Sequence, residues 1–150
     1  MKIPVRINKH SVELEARTDE TLLTALRRSG FRSVRLTCGI GVCGACTVLI
    51  DGEPISSCLV LAPAASGSDM TTTEGFDDDD PVALAFQDVS AFQCGYCTPG
   101  FVLTTRALLS ENPNPSDDEV RQALAGNLCR CGSYRKIAEA VRRAAKSMRS

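Results

Sequence analysis

Residues 38–46 read Cys-Gly-Ile-Gly-Val-Cys-Gly-Ala-Cys, three cysteines and three glycines in nine positions. That density of glycine is at odds with a helix or strand, because glycine loses more backbone entropy on ordering than any other residue. The segment is a loop that wraps something. Eight cysteines in 150 residues would suggest disulfides in a secreted mini-protein, but "MKIPVRINKH" offers neither an apolar h-region nor a small-residue cleavage site. The expectation is a cytoplasmic chain with reduced thiols, export as a passenger of a partner being the one other route, and clustered thiols in that setting point to metal. A net charge of −1 gives no electrostatic case for nucleic acid. No apolar run approaches the length of a bilayer span, so direct membrane insertion is not expected.

The cysteines fall into two groups, Cys38, Cys43, Cys46 and Cys58, then Cys94, Cys97, Cys129 and Cys131. Between them "APAASGSDMTTTEGFDDDD" reads as a polar linker, which divides the chain into domains at 1–76 and 77–150. Domains of that size bury modest cores and often need a metal staple.

The first half reads as β-rich. Ile3, Val5 and Ile7 alternate with polar residues, as do Val12 and Leu14 after an "NKHS" turn, which predicts a hairpin. "TDETLLTALRRSG" predicts a short helix capped by Thr18 or Asp19 and ended by Gly30. "CTVLI" and "ISSCLVL" read as strands joined through Asp51-Gly52. The second half reads as four helices. Pro81 falls at a first helical position behind Asp77–Asp80, and Thr98-Pro99 opens a helix to about Leu109. Ser116 with Glu119 makes a capping box for a helix stopping at Gly126. A last helix from Ser133 or Tyr134 turns Ile137, Ala140, Val141 and Ala144 inward. Short connections make these a small bundle.

The first group, C-x4-C-x2-C with a more distant fourth cysteine, has the plant-type spacing for a [2Fe–2S] cluster. Glycines 39, 41 and 44 let backbone N–H groups turn toward the cluster's negative sulfurs, with Cys58 returning on the next strand as fourth ligand. Structural zinc favours two C-x2-4-C knuckles, a different pattern. The second group is less decisive. A zinc ribbon would repeat C-x2-C after about 15–20 residues, whereas here the gap is longer and the last pair is C-x-C. A redox C-x-x-C at a helix start is a further rival. Iron–sulfur, zinc and thiol chemistry all stay open on spacing alone.

"CGIGVCGACTVLIDGEPISSC", "QCGYCTPGFVL" and "LAGNLCRC" together resemble the iron–sulfur subunit of the xanthine oxidase family of molybdenum hydroxylases, along nearly the whole chain and in the family's order. The resemblance implies an α+β chain, an N-terminal ferredoxin-like β-grasp domain followed by a C-terminal four-helix bundle domain, each with one [2Fe–2S] cluster. Cys38, Cys43, Cys46 and Cys58 then hold the first cluster, and Cys94, Cys97, Cys129 and Cys131 the second. Gln93 matches the glutamine that hydrogen-bonds the pterin, and Cys131 the ligand nearest to it. The implied partner is a large molybdopterin-binding subunit that oxidises the substrate, with electrons passing on to an FAD subunit or a cytochrome. Many members read C-R-C-T-G-Y where this chain reads "CRCGSY". The glycine form resembles the branch containing isoquinoline oxidoreductase, which uses a cytosine dinucleotide form of molybdopterin, and it leaves the acceptor open between flavin and cytochrome.

With one histidine, no tryptophan and every cysteine assigned, the chain lacks groups for proton transfer or nucleophilic attack in a pocket of its own. The expected role is an electron relay during hydroxylation of an N-heterocycle or aldehyde. The rivals are a free-standing ferredoxin shuttle, which should be strongly acidic, and a colourless zinc-stapled adaptor. The edge around Gln93 and the Asn127–Cys131 turn is expected to be exposed when no partner covers it. Asp77–Asp80 reads as a solvated linker end, His10 as a surface turn residue, and Arg142, Arg143, Lys146 and Arg149 as complements to a helix dipole. Arg130, between two cysteines, is expected either to favour cluster reduction or to salt-bridge to the neighbouring domain.

Overall fold

The computed structural model describes all 150 residues. Strands β1 (Lys2–Ile7) and β2 (His10–Glu15) form the expected antiparallel hairpin. Its turn residues, Asn8 and Lys9, both take positive φ, 51° and 71°, the two-residue geometry whose twist matches the flanking strands. Ile3, Val5 and Ile7 point inward while Lys2, Pro4 and Arg6 face out, and His10 is exposed at the start of β2.

Helix α1 (Leu22–Arg28) buries Leu22, Leu23, Ala25 and Leu26. Its cap is Thr21, whose Oγ1 accepts from the Thr24 N–H, so it starts later than Thr18 or Asp19 would allow. The preceding backbone is already engaged: Glu20 O accepts from Ala62 N–H, and Leu22 N–H donates to Val60 O, each at 2.8 Å.

Strands β3 (Thr47–Ile50) and β4 (Glu53–Ser56) pair across the Asp51-Gly52 turn. The second strand begins earlier than expected and stops before Cys58, which rides on a 3₁₀ turn, Ser57–Leu59. The Ser57 N–H and Oγ both donate to Cys46 O, at 3.3 and 2.7 Å, and this double fastening ends the ladder.

The segment expected to be a linker is largely structured. Ala62–Ala65 forms a 3₁₀ turn, and β5 (Asp69–Thr71) is the middle strand of the sheet, whose order is β2-β1-β5-β3-β4. It runs parallel to β1 and antiparallel to β3, and its Met70 is fully buried. A three-residue strand with one inward apolar side chain is too short to show alternation in sequence.

Four helices follow, α2 (Pro81–Asp88), α3 (Thr98–Glu111), α4 (Asp117–Ala123) and α5 (Tyr134–Arg149), which makes the chain α+β in the expected order. Pro81 is the first residue of α2, and Asp80 Oδ1 caps it by accepting from Val82 and Ala83 N–H, both at 3.0 Å. Asp80 is therefore buried rather than solvated, and its other oxygen pairs with Arg106 of α3. The Ser116–Glu119 capping box is present. α4 ends at Ala123, short of Gly126. Ile137, Ala140, Val141 and Ala144 of α5 are buried as expected. Arg142 and Arg143 do more than complement a dipole: they pair with Asp117 and Asp88, tying α5 to α4 and α2.

Two main cores result, one under the sheet around Ile3, Leu22, Val48 and Met70, one inside the helices around Phe86, Phe101 and Ile137. Leu49 of β3 packs with Leu103 and Ala107 of α3, with Phe76 against them, and so joins the two.

Replacing Met70 by alanine should destabilise the chain by about 3 kcal/mol, the usual range for emptying a fully buried site. Asp78→Ala, in the exposed part of the same segment, should change stability by less than about 0.5 kcal/mol. Denaturant melts of the two variants check this, and equal midpoints would be inconsistent with β5 as a core strand.

Candidate metal centres

The first cysteine group lies on the loop between α1 and β3 and on the 3₁₀ turn after β4. Cys43, Cys46 and Cys58 are buried and Cys38 half-buried, all as free thiols. Glycines 39, 41 and 44 have φ of 68°, 78° and 68°, which curls the backbone around Cys38. Its thiol is lowered to about 6 by the N–H groups of Ile40, Cys43 and Val42, and the Cys43 N–H lies 3.4 Å from Cys38 Sγ. Cys58 is pushed the other way, to about 11, by burial and by contact with the Cys46 thiol.

The second group combines the turn ahead of α3 with the turn between α4 and α5. Cys94 is exposed, Cys97 and Cys131 half-buried, and Cys129 buried. The Cys94 thiol is lowered by the Tyr96 N–H and by the Cys131 thiol beside it. Burial pushes Cys97 up to about 12, with Cys129 as its hydrogen-bonding neighbour. Burial also raises Cys129, but donation to its sulfur outweighs this and the net direction is down; the Ser133 N–H lies 3.4 Å from Sγ. The Cys129 N–H in turn donates to Tyr134 Oη at 2.8 Å, and the Tyr134 ring meets Phe101 edge-on at 6.3 Å.

The structure thus brings together all four cysteines of each group, and within each group they meet as pairs. These are Cys38 with Cys43, Cys46 with Cys58, Cys94 with Cys131, and Cys97 with Cys129. No three ligand-type side chains converge on one ion position. Four cysteines gathered as two neighbouring pairs are residues that would hold a [2Fe–2S] cluster, which would supply one-electron redox chemistry there. Backbone N–H groups directed at Cys38 and Cys129 suit the negative charge such a group carries. The donor set fits.

Gln93 is exposed, and its Nε2 donates to Cys131 O at 3.3 Å, so the two residues expected at the pterin-facing edge do lie together. The turn beside them is only partly exposed. Leu128 and Arg130 face solvent, but Asn127 is buried, which corrects the expectation of a fully open Asn127–Cys131 edge. Asn127 Nδ2 donates to Gly44 O at 3.1 Å, and its Oδ1 accepts from Thr104 Oγ1 at 3.0 Å. Next to it the Leu128 N–H donates to Cys43 O at 2.9 Å. The turn therefore folds onto the first cysteine loop. A Cβ on Gly44 would stand 2.3 Å from Gly126 O and 2.6 Å from Asn127 Nδ2, so glycine is the only residue this contact admits. The sequence carries no signal for it, since a polar residue in a turn is ordinarily solvated. A second bridge joins Leu36 O to the Tyr96 hydroxyl, which donates at 2.7 Å. Arg130 pairs with no carboxylate, contrary to the salt bridge considered for it.

Two domain families match this chain, a 2Fe-2S iron-sulfur cluster binding domain over residues 5–74 and a [2Fe-2S] binding domain over residues 72–142. The small FeS subunit of nicotinate dehydrogenase from Eubacterium barkeri is 43% identical over 144 aligned positions, covering 93% of this chain and 92% of that one. The alpha chain of isoquinoline 1-oxidoreductase from Brevundimonas diminuta is 39% identical, covering 95% and 92%. The chain belongs to the iron–sulfur subunits of the xanthine oxidase family. This iron–sulfur subunit is thus a component of a multi-subunit oxidoreductase and carries two [2Fe–2S]-binding domains. In solved structures it superposes on a chain of quinoline 2-oxidoreductase from Pseudomonas putida with a TM-score of 0.94 and 40% identity, covering 99% of this chain and 96% of that one. Against aldehyde oxidoreductase from Desulfovibrio gigas the TM-score is 0.93 at 30% identity. There the match covers 99% of the iron–sulfur subunit but 17% of the other chain, so the same fold forms one portion of a longer polypeptide. No helix of the iron–sulfur subunit is long and apolar enough to cross a membrane.

Gly44→Ala should cost about 2–4 kcal/mol, combining a left-handed φ with overpacking against the Gly126 carbonyl. Gly52→Ala shares the positive φ, but its Cβ would meet nothing within 4 Å, so only the conformational part, about 1 kcal/mol, should be lost. Thermal melts of the two variants side by side isolate the docking contact.

Proposed function

We propose that this subunit relays electrons from a molybdopterin centre in a large partner subunit, through two [2Fe–2S] clusters, to an FAD subunit or a cytochrome. Cys38, Cys43, Cys46 and Cys58 hold one cluster in a domain of residues 1–76, and Cys94, Cys97, Cys129 and Cys131 hold the other in a domain of residues 77–150. Bound there, each cluster supplies one-electron redox chemistry. The observation that carries the reading is the 2.9 Å bond from the Leu128 N–H to Cys43 O, which links the residue before one candidate ligand directly to another candidate ligand in the other group.

The rest of the chain supports a direction of flow. Gln93 and Cys131 lie together at the surface, and Gln93 keeps its Oε1 and one N–H free for a pterin on the partner. The second group then receives electrons first and the first group passes them on. The substrate pocket belongs to the large subunit, which hydroxylates an N-heterocycle or an aldehyde. Relatives named for nicotinate and isoquinoline support the heterocycle, and the "CRCGSY" ending supports the cytosine dinucleotide cofactor.

The purified subunit should contain about four irons and four labile sulfides, have a reddish-brown colour and give two distinct reduced-state EPR signals. Stoichiometric zinc without visible absorption would sink the reading. A monodisperse monomer that never co-purifies with a molybdenum protein would count instead for the ferredoxin shuttle.

The order of transfer is tested by two variants of the complex. With Cys43→Ser, substrate should still reduce molybdenum and the second cluster while turnover with the external acceptor collapses. With Cys97→Ser, electrons should strand at molybdenum and an intact first cluster should stay oxidised. Each variant is checked beforehand for partner binding and for the untouched cluster, since a lost metal staple can unfold its domain. Rapid reduction of the first cluster by substrate in the Cys97 variant would reverse the proposed order.

A further inference from the structure

We propose that Arg35 is a positioning counter-charge shared by the two cluster sites, holding the potentials of both above the values their thiolates alone would give. The inference rests on the ligand assignment under the proposed function. Arg35 occupies the seam between the two cysteine groups. Its backbone N–H donates at 3.1 Å to the carbonyl of Ala45, the residue between Gly44 and Cys46. Its guanidinium carbon stands 5.2 Å from the centre of the Tyr96 ring, and Tyr96 lies between Cys94 and Cys97. The Tyr96 hydroxyl reaches back to Leu36 O at 2.7 Å. One residue thereby touches both loops, the first through its backbone and the second through its side chain.

What singles Arg35 out among the cations that lack a carboxylate partner is a half-buried side chain whose Nε finds no acceptor. Nine ion pairs neutralise other cations of this chain, and Arg35 is in none of them. Its Nε is buried without a hydrogen-bond partner. Withdrawing one nitrogen of a guanidinium from water without an acceptor costs free energy, and such groups are ordinarily paired. The Tyr96 ring face offsets part of this cost through a cation–π contact. The remainder is answered if the anions are the two clusters, each carrying four thiolates and gaining one further negative charge when it takes up an electron and one ferric iron becomes ferrous. A fixed cation favours that more negative state. Arg130 is the instructive contrast: it is closer in sequence to two ligands but exposed, where water and salt screen it.

The test is an EPR-monitored redox titration with dithionite of the full chain purified with its native partner subunits. Arg35→Gln should move both cluster potentials to more negative values, and Arg35→Lys, which keeps the charge, should bring both back toward wild type. Arg35→Met keeps the unbranched stem and serves where the glutamine variant does not accumulate. Tyr96→Phe loosens the same seam without removing charge and should leave both potentials in place. Unmoved potentials in the neutral variants, with both cluster signals intact, would overturn the role of Arg35. A shift in Tyr96→Phe as large as in Arg35→Gln would also overturn it, because geometry rather than charge would then be responsible. Absence of either cluster signal from the wild-type chain overturns the ligand assignment itself.

Discussion

The amide of Asn127 is the contact on which the arrangement of the two cysteine groups depends. It is buried, donates to Gly44 O on one loop and accepts from Thr104 Oγ1 on α3. Neither loop has regular structure of its own to fix their separation. A buried amide left without partners costs about 1–3 kcal/mol, so a displaced loop forfeits more than one hydrogen bond. The same interface requires two close backbone approaches. Gly44 leaves room for the Gly126 carbonyl, and a Cβ on Gly100 would stand 2.4 Å from Gly44 O. Two glycines and one asparagine thereby set how closely the two groups approach.

Helix α3 transmits that constraint to the rest of the chain. Its first turn follows Cys97, and its middle supplies Thr104 to the Asn127 network. Leu103 and Ala107 rest on Leu49 of the sheet, and Arg106 reaches the buried carboxylate of Asp80 while lying 5.5 Å over the Phe76 ring. One rigid element therefore touches the second cysteine group, the seam, the sheet and the start of α2. Each core is small, and small cores supply little stability beyond what a staple adds. A shared helix makes the two cores support one another.

Local signals in the sequence are enough wherever the structure is decided locally. The Asp51-Gly52 turn, the Pro81 start and the Ser116–Glu119 box are settled by residues within a few positions of each other, and they occur where the sequence places them. The fourfold cysteine groups are legible for the same reason, since ligand spacing is a local property. Elements decided by distant partners are not. Met70 reads as an isolated apolar residue in a polar stretch, and only β1 and β3 on either side make it a strand. The delayed start of α1 is imposed by residues 60–62, and the burial of Asn127 by a loop more than eighty positions away. Arg35 reads in sequence as one of many cations, because the absence of a carboxylate partner is a property of three-dimensional placement.

The surface around the cysteines bears on whether such a chain works alone. Leu36, Ile40, Val42, Leu59 and Leu61 are exposed around the first group, and Phe92, Tyr96, Leu128 and Tyr134 around the second. Large exposed apolar side chains gathered near a functional centre are a common mark of an interaction surface. A shuttle that docks and leaves relies on a charged rim for steering and release. No charged residue lies between Thr37 and Ile50 or between Ile55 and Ser68, so both segments that hold the first group are neutral. Neutral apolar margins favour contacts that form once and stay dry, and a dry contact also removes the water that would otherwise screen a fixed charge such as Arg35. The apolar margins, the near-neutral chain and the unpaired arginine therefore support the same proposal of a subunit built to be covered, with its electrostatics set from inside.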